Sequence, residues 1–137
     1  MKKDSLLKNK FRAKVKYNGN HFFSGDWVIG SLIIKSNGIF IYIIEEDEFG
    51  NIVRELDVDV IPETVGQYTG LKDINFSGVY ENDYFDTEDG LMEVYFIDGK
   101  FILMWADNGT YRCDLCDAVK HLSKCGNKFD NPELLTN

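Results

Sequence analysis

The segment LMEVYFIDGKFILMW, residues 91–105, indicates the fold class most clearly. Two runs of apolar, β-branched and aromatic residues, 91–97 and 100–105, flank the pair Asp98-Gly99. An Asp-Gly pair tolerates the positive φ angles of a tight turn, so the segment predicts an antiparallel β-hairpin. Short apolar runs between turn residues recur along the chain. We therefore predict a mainly β fold of antiparallel hairpins, with a β-rich α+β fold as the alternative.

Further strands are predicted outward from this hairpin. Trp27–Ile34 and Ile39–Ile44 are rich in β-branched and aromatic residues, and Asn37-Gly38 between them is a second hairpin signal. Glu55–Val60 alternates acidic and apolar residues as a half-buried strand does. Pro62 should end that strand because proline has no backbone donor.

The last part of the chain contains less regular patterns. Between Asp114 and Lys124 the apolar residues fit helical spacing as well as an irregular strand, so both readings stay open. Asn131-Pro132-Glu133 predicts a short C-terminal helical turn, with Asn131 as its cap and Pro132 at its first position.

The length of 137 residues suits one domain with one core. We predict a basic N-terminal arm over residues 1–9 and a single domain over residues 10–137. Residues 62–73 are the place where a hinge between two β subdomains would lie.

Charge is distributed unevenly along the chain. Residues 1–20 contain seven Lys and Arg against one Asp, a net charge of +6, whereas residues 21–137 contain eight against 22 acidic residues, a net charge of −14. In residues 10–17 basic residues alternate with apolar or small ones, which predicts an edge strand with one wet basic face. Nucleic acid could contact only this basic stretch, and we expect no such binding because residues 21–137 are acidic. The alternative is that the basic stretch pairs with these acidic residues or faces water.

The chain also carries signals about its compartment. It has no apolar run of the roughly 18 residues that a membrane span needs, and its start lacks a signal-peptide core. Its three cysteines are an odd number, which fits reduced thiols better than a disulfide framework. We therefore expect a cytoplasmic protein with no membrane contact.

The spacing Cys113-x2-Cys116-x4-His121-x3-Cys125 is the one metal-like pattern, because thiolates and imidazole suit tetrahedral zinc. It is one residue shorter than a zinc knuckle between its His and its last Cys. We therefore expect no metal and no cofactor, and we interpret Cys125 as a buried thiol. A redox role for Cys113 and Cys116 is disfavoured, since nothing places the pair at the start of a helix after a parallel strand.

The carboxylates and histidines predict no catalytic residues. Placing Gly90 at the sixth position of a calcium loop puts Phe85 and Phe96 at ligand positions, which excludes an EF-hand. The acidic runs 45–48 and 83–90 therefore indicate solvated loops. Asp57 and Asp59 alternate with apolar residues, as on the solvent face of a strand, rather than as an acid–base pair. Neither His21 nor His121 stands in a nucleophile motif, so we expect no enzyme.

One segment of twelve residues reads Pro62-Glu63-Thr64-Val65-Gly66-Gln67-Tyr68-Thr69-Gly70-Leu71-Lys72-Asp73. It resembles the signature of the YopX family of phage and prophage proteins. Trp27-Val28-Ile29-Gly30-Ser31-Leu32 resembles the family's Trp-x-x-Gly-x-Leu, and Phe11-Arg12-Ala13 resembles its opening. Gly126-Asn127-Lys128-Phe129-Asp130-Asn131-Pro132-Glu133-Leu134-Leu135 resembles its ending. The resemblance covers about residues 11–135.

The family signature continues through Asp73, Tyr80 and Asp83, but Phe76 and Asn82 stand where the family has glycine. Because Phe tolerates positive φ poorly, we expect the turn at Phe76 to take another conformation than in relatives. Gly66 and Gly70 suit positive φ or close backbone approach, and Trp27, Tyr68 and Tyr80 suit anchoring roles.

The resemblance implies phage origin and a homo-oligomer, but no assigned reaction. Two function hypotheses follow. The first is a self-assembling structural or interaction protein that binds copies of itself or a phage or host protein, including an acidic charge mimic that inhibits a host protein. The second is a nucleic-acid-associated accessory protein that uses the basic N-terminal strand.

Overall fold

The computed structural model describes residues 10–136, so the predicted N-terminal arm lies outside the described residues. Strands dominate, which confirms the mainly β prediction. They are β1 Phe11–Lys14, β2 Trp27–Lys35, β3 Gly38–Glu46, β4 Ile52–Asp59, β5 Gly66–Lys72, β6 Gly78–Tyr80, β7 Asp83–Thr87, β8 Gly90–Ile97, β9 Lys100–Trp105, β10 Tyr111–Asp114 and β11 Lys124–Asn127. The helical elements are α1 Leu115–Ala118 and the 3₁₀ turns Pro62–Thr64, Val119–His121 and Pro132–Thr136. No helix within residues 10–136 has the length and apolar character to cross a membrane.

The described residues form two compact units, one ending at Gln67 and the other beginning at Tyr68. This boundary lies inside residues 62–73. Each unit has its own cluster of buried apolar side chains, where the chain length had led us to expect one core. The single-domain assignment stays a prediction.

In the first unit the strands follow the order β4-β3-β2-β1-β5, each antiparallel to its neighbour. The end of β4 returns to the end of β1 through a bridge between Val15 and Val60 and a hydrogen bond from the Lys16 N–H to the Asp59 carbonyl of 3.0 Å. The strands therefore wrap around one cluster. Its buried members are Ala13, Val15, Val28, Ile41, Val58 and Val60.

Strand β1 corrects two expectations about the basic stretch. It is not an edge strand, because it pairs with β2 on one side and β5 on the other. Its predicted wet face is also partly covered, since Arg12 is only 8% exposed. The Arg12 guanidinium lies 4.7 Å from the centroid of the Trp27 ring, and the Lys14 ammonium lies 5.3 Å from it. The alternation of basic and apolar residues predicted which side chains share a face of β1. The position of the Trp27 indole beside Arg12 and Lys14 follows only from the fold.

The hairpin at Asp98-Gly99 is confirmed. Asp98 and Gly99 have φ angles of 53° and 79°, as a type I′ turn requires, and Ile97 pairs with Lys100. A hairpin also forms at the second predicted site, where Lys35 pairs with Gly38. There Gly38 is already the first residue of β3 rather than part of the loop.

The turn at Phe76 corrects the expectation that it would avoid positive φ, because Phe76 has a φ angle of 60°. The carboxylate of Asp73 imposes this geometry by accepting hydrogen bonds from the N–H groups of Asn75 (2.9 Å) and Ser77 (3.0 Å). The Phe76 N–H donates to the Asp73 carbonyl at 3.0 Å. Asn82, which stands at the other position where the family has glycine, also has a positive φ angle of 72°.

In the second unit β5 pairs with β6, and a five-stranded antiparallel sheet has the order β10-β9-β8-β7-β11. The ambiguous stretch after Asp114 is helical, because α1 and the following 3₁₀ turn bury Leu115 and Val119 on one face. The predicted C-terminal turn is present as the 3₁₀ turn Pro132–Thr136. The side-chain oxygen of Asn131, predicted to cap this turn, accepts instead from the Asn127 N–H at 3.1 Å.

Candidate interaction surface

Two signature aspartates and Lys124 form a polar network that ties β5, β6, β7 and β11 together. Asp83 is 1% exposed; its carboxylate accepts from the Tyr80 N–H at 2.8 Å and lies 3.7 Å from the Lys124 ammonium. That ammonium donates to the Gly78 carbonyl at 2.6 Å, and the Lys124 N–H donates to Asp73 at 2.9 Å. The network satisfies buried polar groups, which would otherwise destabilise the fold.

The pKa of Asp73 reflects this role. Burial by itself would raise the pKa of the carboxyl, but hydrogen bonds from the N–H groups of Lys124, Ser77 and Asn75 outweigh it and lower the pKa below its ordinary value. A carboxylate held in this way keeps its charge and its partners at neutral pH. It has the properties of a structural group rather than a proton donor.

The C-terminal signature is organised around Asn127. Its side-chain oxygen accepts from the N–H groups of Phe129 at 2.9 Å and Asp130 at 3.0 Å. Gly126 lies against Asn131 so closely that a Cβ at this position would overlap the Asn131 side chain. These residues therefore fix the path of the chain into the last 3₁₀ turn.

Signature residues at the end of the first unit and at the start of the second are also structural. The Thr64 hydroxyl donates to the Ile61 carbonyl at 2.6 Å and accepts from the Lys14 N–H at 2.8 Å, which fastens the turn Pro62–Thr64 to β1. In β5, Gly70 has a φ angle of 79°. Tyr68 and Tyr80 are buried, with ring centroids 5.1 Å apart. The signature thus preserves a backbone arrangement.

The structure does not bring the metal-like residues into a site. Among residues 10–136, no group of three or more His, Cys, Asp or Glu is arranged to hold a metal ion. The three cysteines are free thiols, and Cys125, which was expected to be buried, is an exposed residue. Burial raises the pKa of Cys113 in β10, and the Cys125 thiol donates to the Tyr84 carbonyl at 3.4 Å. Cys116 and His121 are exposed on the helical segment.

The solvent face of β4 is confirmed. Asp57 forms an ion pair of 3.0 Å with Lys35, whose ammonium also lies 4.7 Å from the Phe40 ring centroid. The Tyr42 hydroxyl donates to Glu55 at 2.6 Å, and this hydrogen bond raises the pKa of Tyr42. Asp57 and Glu55 are therefore both engaged in contacts with neighbouring side chains.

A depression opens on this face where β2 changes partner. Residues 27–30 of β2 pair with β1, whereas residues 31–35 pair with β3. Gly30 stands at the change, and a Cβ there would overlap the Tyr42 carbonyl oxygen. The resulting cavity of about 480 Å³ is lined by Ile29, Ser31, Tyr42, Ile43 and Ile44 among others.

Further exposed apolar side chains lie in β4 and in the β3–β4 turn. We use the name β3–β4 surface for the depression and these side chains together, defined by Ile29, Tyr42, Ile44, Phe49, Ile52 and Val53. Ile44 is 48% exposed, Phe49 81% and Val53 62%. Several exposed large apolar side chains on one hairpin make it a candidate interaction site.

The turn that presents Phe49 is held by its own hydrogen bonds. The Asp47 carboxylate accepts from the N–H groups of Asn51 and Phe49, both at 2.9 Å, and the hydrogen bond from Asn51 is the main cause of its lowered pKa. Arg54 pairs with Glu45 at 3.2 Å. Sequence reasoning treated residues 45–48 as solvated charge and missed this surface. The signal in the sequence that could have indicated this surface is the apolar residues Phe49 and Ile52-Val53, which follow directly after an acidic run.

Comparisons with known proteins agree with the resemblance. The family model described as "YopX protein" matches residues 10–136. The crystal structure of protein EF1440 from Enterococcus faecalis has a TM-score of 0.56 and 21% identity, with 94% of this chain and 99% of that chain covered. None of the curated proteins compared with the chain matches it. The structural likeness shows a shared fold.

Proposed function

Because the chain belongs to the YopX family, we propose that it is a phage or prophage protein of the bacterial cytoplasm that acts by binding protein rather than by catalysis. The observation that carries this proposal is the β3–β4 surface, where Ile44 lines a depression of about 480 Å³ and the same hairpin exposes Phe49 and Val53.

The composition of the surface supports a protein partner. Aromatic and aliphatic groups of this surface would lose water on association, while Glu46, which lines the depression, adds a polar component. The Asp47 hydrogen bonds hold the turn before any partner arrives. A surface that is ordered in advance loses less conformational entropy on binding.

The partner that we propose is a second copy of the chain. The family resemblance implies a homo-oligomer, and the chain's own charges support one. Lys10 and Lys16 of the basic stretch are exposed, whereas the β3–β4 turn is acidic. Opposite charges on one chain attract when copies approach each other, which raises the association rate and fixes orientation.

The nucleic-acid hypothesis receives less support from the described residues. Of the four basic residues in the stretch 10–16, Arg12 is buried and Lys14 is partly buried beside Trp27. Phosphate contacts need accessible cations, and affinity falls with each one that is lost. We therefore retain the protein-binding function as the proposal.

Light scattering of the purified protein, combined with one matched pair of variants, tests this function. We expect the wild type to exceed the monomer mass of 15.8 kDa at micromolar concentration. Ile44→Asp should shift the mass towards the monomer, because a desolvated carboxylate at an apolar interface is unfavourable. The control is Ile74→Asp in the second unit, where the residue is 52% exposed and lies outside the β3–β4 surface.

The control should assemble as the wild type does, and circular dichroism should show both variants folded. A monomeric wild type would refute self-assembly. Equal dissociation by both variants, or none by Ile44→Asp, would refute the role of the β3–β4 surface.

A further inference from the structure

The second unit contains a separate cavity that adjoins Trp105. Its volume is about 330 Å³, at the lower end of the roughly 300–1,000 Å³ of ligand sites. The lining residues include Trp105, Leu134 and Leu135 as an apolar part, and Asp89, Asp107 and Asn108 as a polar part. This cavity shares no residue with the β3–β4 surface.

Three segments meet at the cavity, and backbone hydrogen bonds position the first two. The Ala106 N–H donates to the Leu91 carbonyl at 2.9 Å, which brings the turn after β9 beside the start of β8. The Gly109 N–H donates to the Trp105 carbonyl at 2.7 Å and closes the β9–β10 turn. The third segment is the last 3₁₀ turn, which presents Leu134 and Leu135.

The charges around the cavity have one sign. Asp89 and Asp107 are acidic, and among the described residues that line it none is basic. A cation already lies near the indole of Trp105, since the Arg112 guanidinium is 5.8 Å from its ring centroid. Arg112 lines a smaller neighbouring cavity of about 120 Å³, which shares Asp89 and Trp105 with this one. Gly90 also lies against the indole, where a side chain would take up space beside the ring.

We propose that this cavity binds an arginine side chain of a partner protein. A guanidinium group stacks on an aromatic ring and donates two parallel hydrogen bonds to a carboxylate, and its alkyl stem packs on apolar side chains. The cavity supplies a counterpart to each part: the indole of Trp105, the carboxylates of Asp89 and Asp107, and the leucines. A lysine ammonium matches this planar combination less well.

Nuclear magnetic resonance on the full-length protein can test the proposal with the peptide acetyl-Gly-Arg-Gly-amide as probe. The chain has two tryptophans, so two indole N–H signals are expected, and a Trp105→Phe variant assigns them. Titration should move the Trp105 signal in a saturable manner and leave the Trp27 signal in place, because Trp27 is already covered by Arg12 and Lys14.

The corresponding citrulline peptide has the same shape without the charge and should bind at least tenfold more weakly. The double variant Asp89→Asn, Asp107→Asn should also lose at least tenfold in affinity. Its control is Asp98→Asn with Asp117→Asn, which removes the same charge at exposed sites of the second unit outside the cavity. This control should bind as the wild type does.

Three results would overturn the proposal: a Trp105 signal that does not move, equal binding of the citrulline peptide, or equal losses in both double variants. Because the readout is local to Trp105, none of these results depends on whether the β3–β4 surface assembles copies of the chain.

Discussion

Replacing Phe76 by glycine should stabilise the protein. Phe76 holds a φ angle of 60°, and the left-handed region costs a residue with a side chain about 1–2 kcal/mol relative to its ordinary conformations. The ring does not offset this cost, because Phe76 is 83% exposed. Glycine removes the strain but loses about 0.4–1 kcal/mol through the greater freedom of the unfolded chain. The net gain for Phe76→Gly is therefore about 1 kcal/mol.

Urea unfolding at constant temperature measures this gain. With a slope of about 2 kcal/mol per molar urea, the midpoint should rise by about 0.5 M. Phe76→Asn should gain part of this amount, since Asn tolerates the left-handed region better than other residues with side chains. Phe76→Ala removes the ring but keeps a Cβ, so we expect no gain from it.

The order glycine, asparagine and then alanine is the critical result. If alanine stabilises as much as glycine, the gain comes from loss of the exposed ring, and the backbone argument is wrong. A destabilised Phe76→Gly variant would mean that the Asp73 hydrogen bonds do not hold the turn in this geometry without the ring.

Four further predictions concern packing, pH, metal and nucleic acid. Gly30→Ala should lower the free energy of unfolding in urea by at least about 2 kcal/mol, because its Cβ would overlap a backbone oxygen. The control Gly19→Ala has open space around the Cβ and should lower it by less than about 1 kcal/mol. Asp73→Asn should lower the free energy of unfolding by about 1–3 kcal/mol at pH 7. The lowered pKa of Asp73 stabilises the fold above the carboxyl's unfolded pKa near 4, and this stability is lost as pH falls through the folded pKa. Acid should therefore reduce the stability of the variant less than that of the wild type. A chelator should leave the circular dichroism spectrum unchanged, and one bound zinc per chain in elemental analysis would contradict us. Labelled duplex and single-stranded DNA should show no binding at physiological salt; micromolar affinity that disappears when Lys10 and Lys16 become serine would favour the nucleic-acid hypothesis.

Local signals predicted the hairpin strands, but the acidic run 83–90 was wrongly expected to be a solvated loop, because Asp83–Thr87 forms β7 and buries Asp83, Tyr84 and Phe85. Asp98-Gly99 specified its turn because both residues accept the required positive φ angles, a property that does not depend on distant contacts. The alternation in β4 placed Asp57 on the solvent face for a similarly local reason, the two-residue period of a strand.

Errors arose where contacts with other residues decided the outcome. The turn at Phe76 was expected to avoid positive φ on the preference of Phe alone, but the nearby Asp73 carboxylate holds neighbouring N–H groups and outweighs that preference. The basic face of β1 was expected to be exposed to solvent, but Trp27 covers Arg12 after β1 and β2 pair. Propensity describes a residue in isolation, and contacts of comparable energy can reverse it.

The sequence by itself determined that the chain is mainly β, where its clearest hairpins turn and which family it resembles, because turn preference and strand alternation are properties of neighbouring residues. Only the tertiary structure decided how the signature residues are used and where the candidate surfaces lie. The depression at Gly30 exists because β2 leaves one partner for another, and the Trp105 cavity exists because three distant segments converge. Such sites depend on which segments come together in the fold. Contacts between segments far apart in the chain leave no periodic pattern in the sequence, so these sites could not be predicted from it.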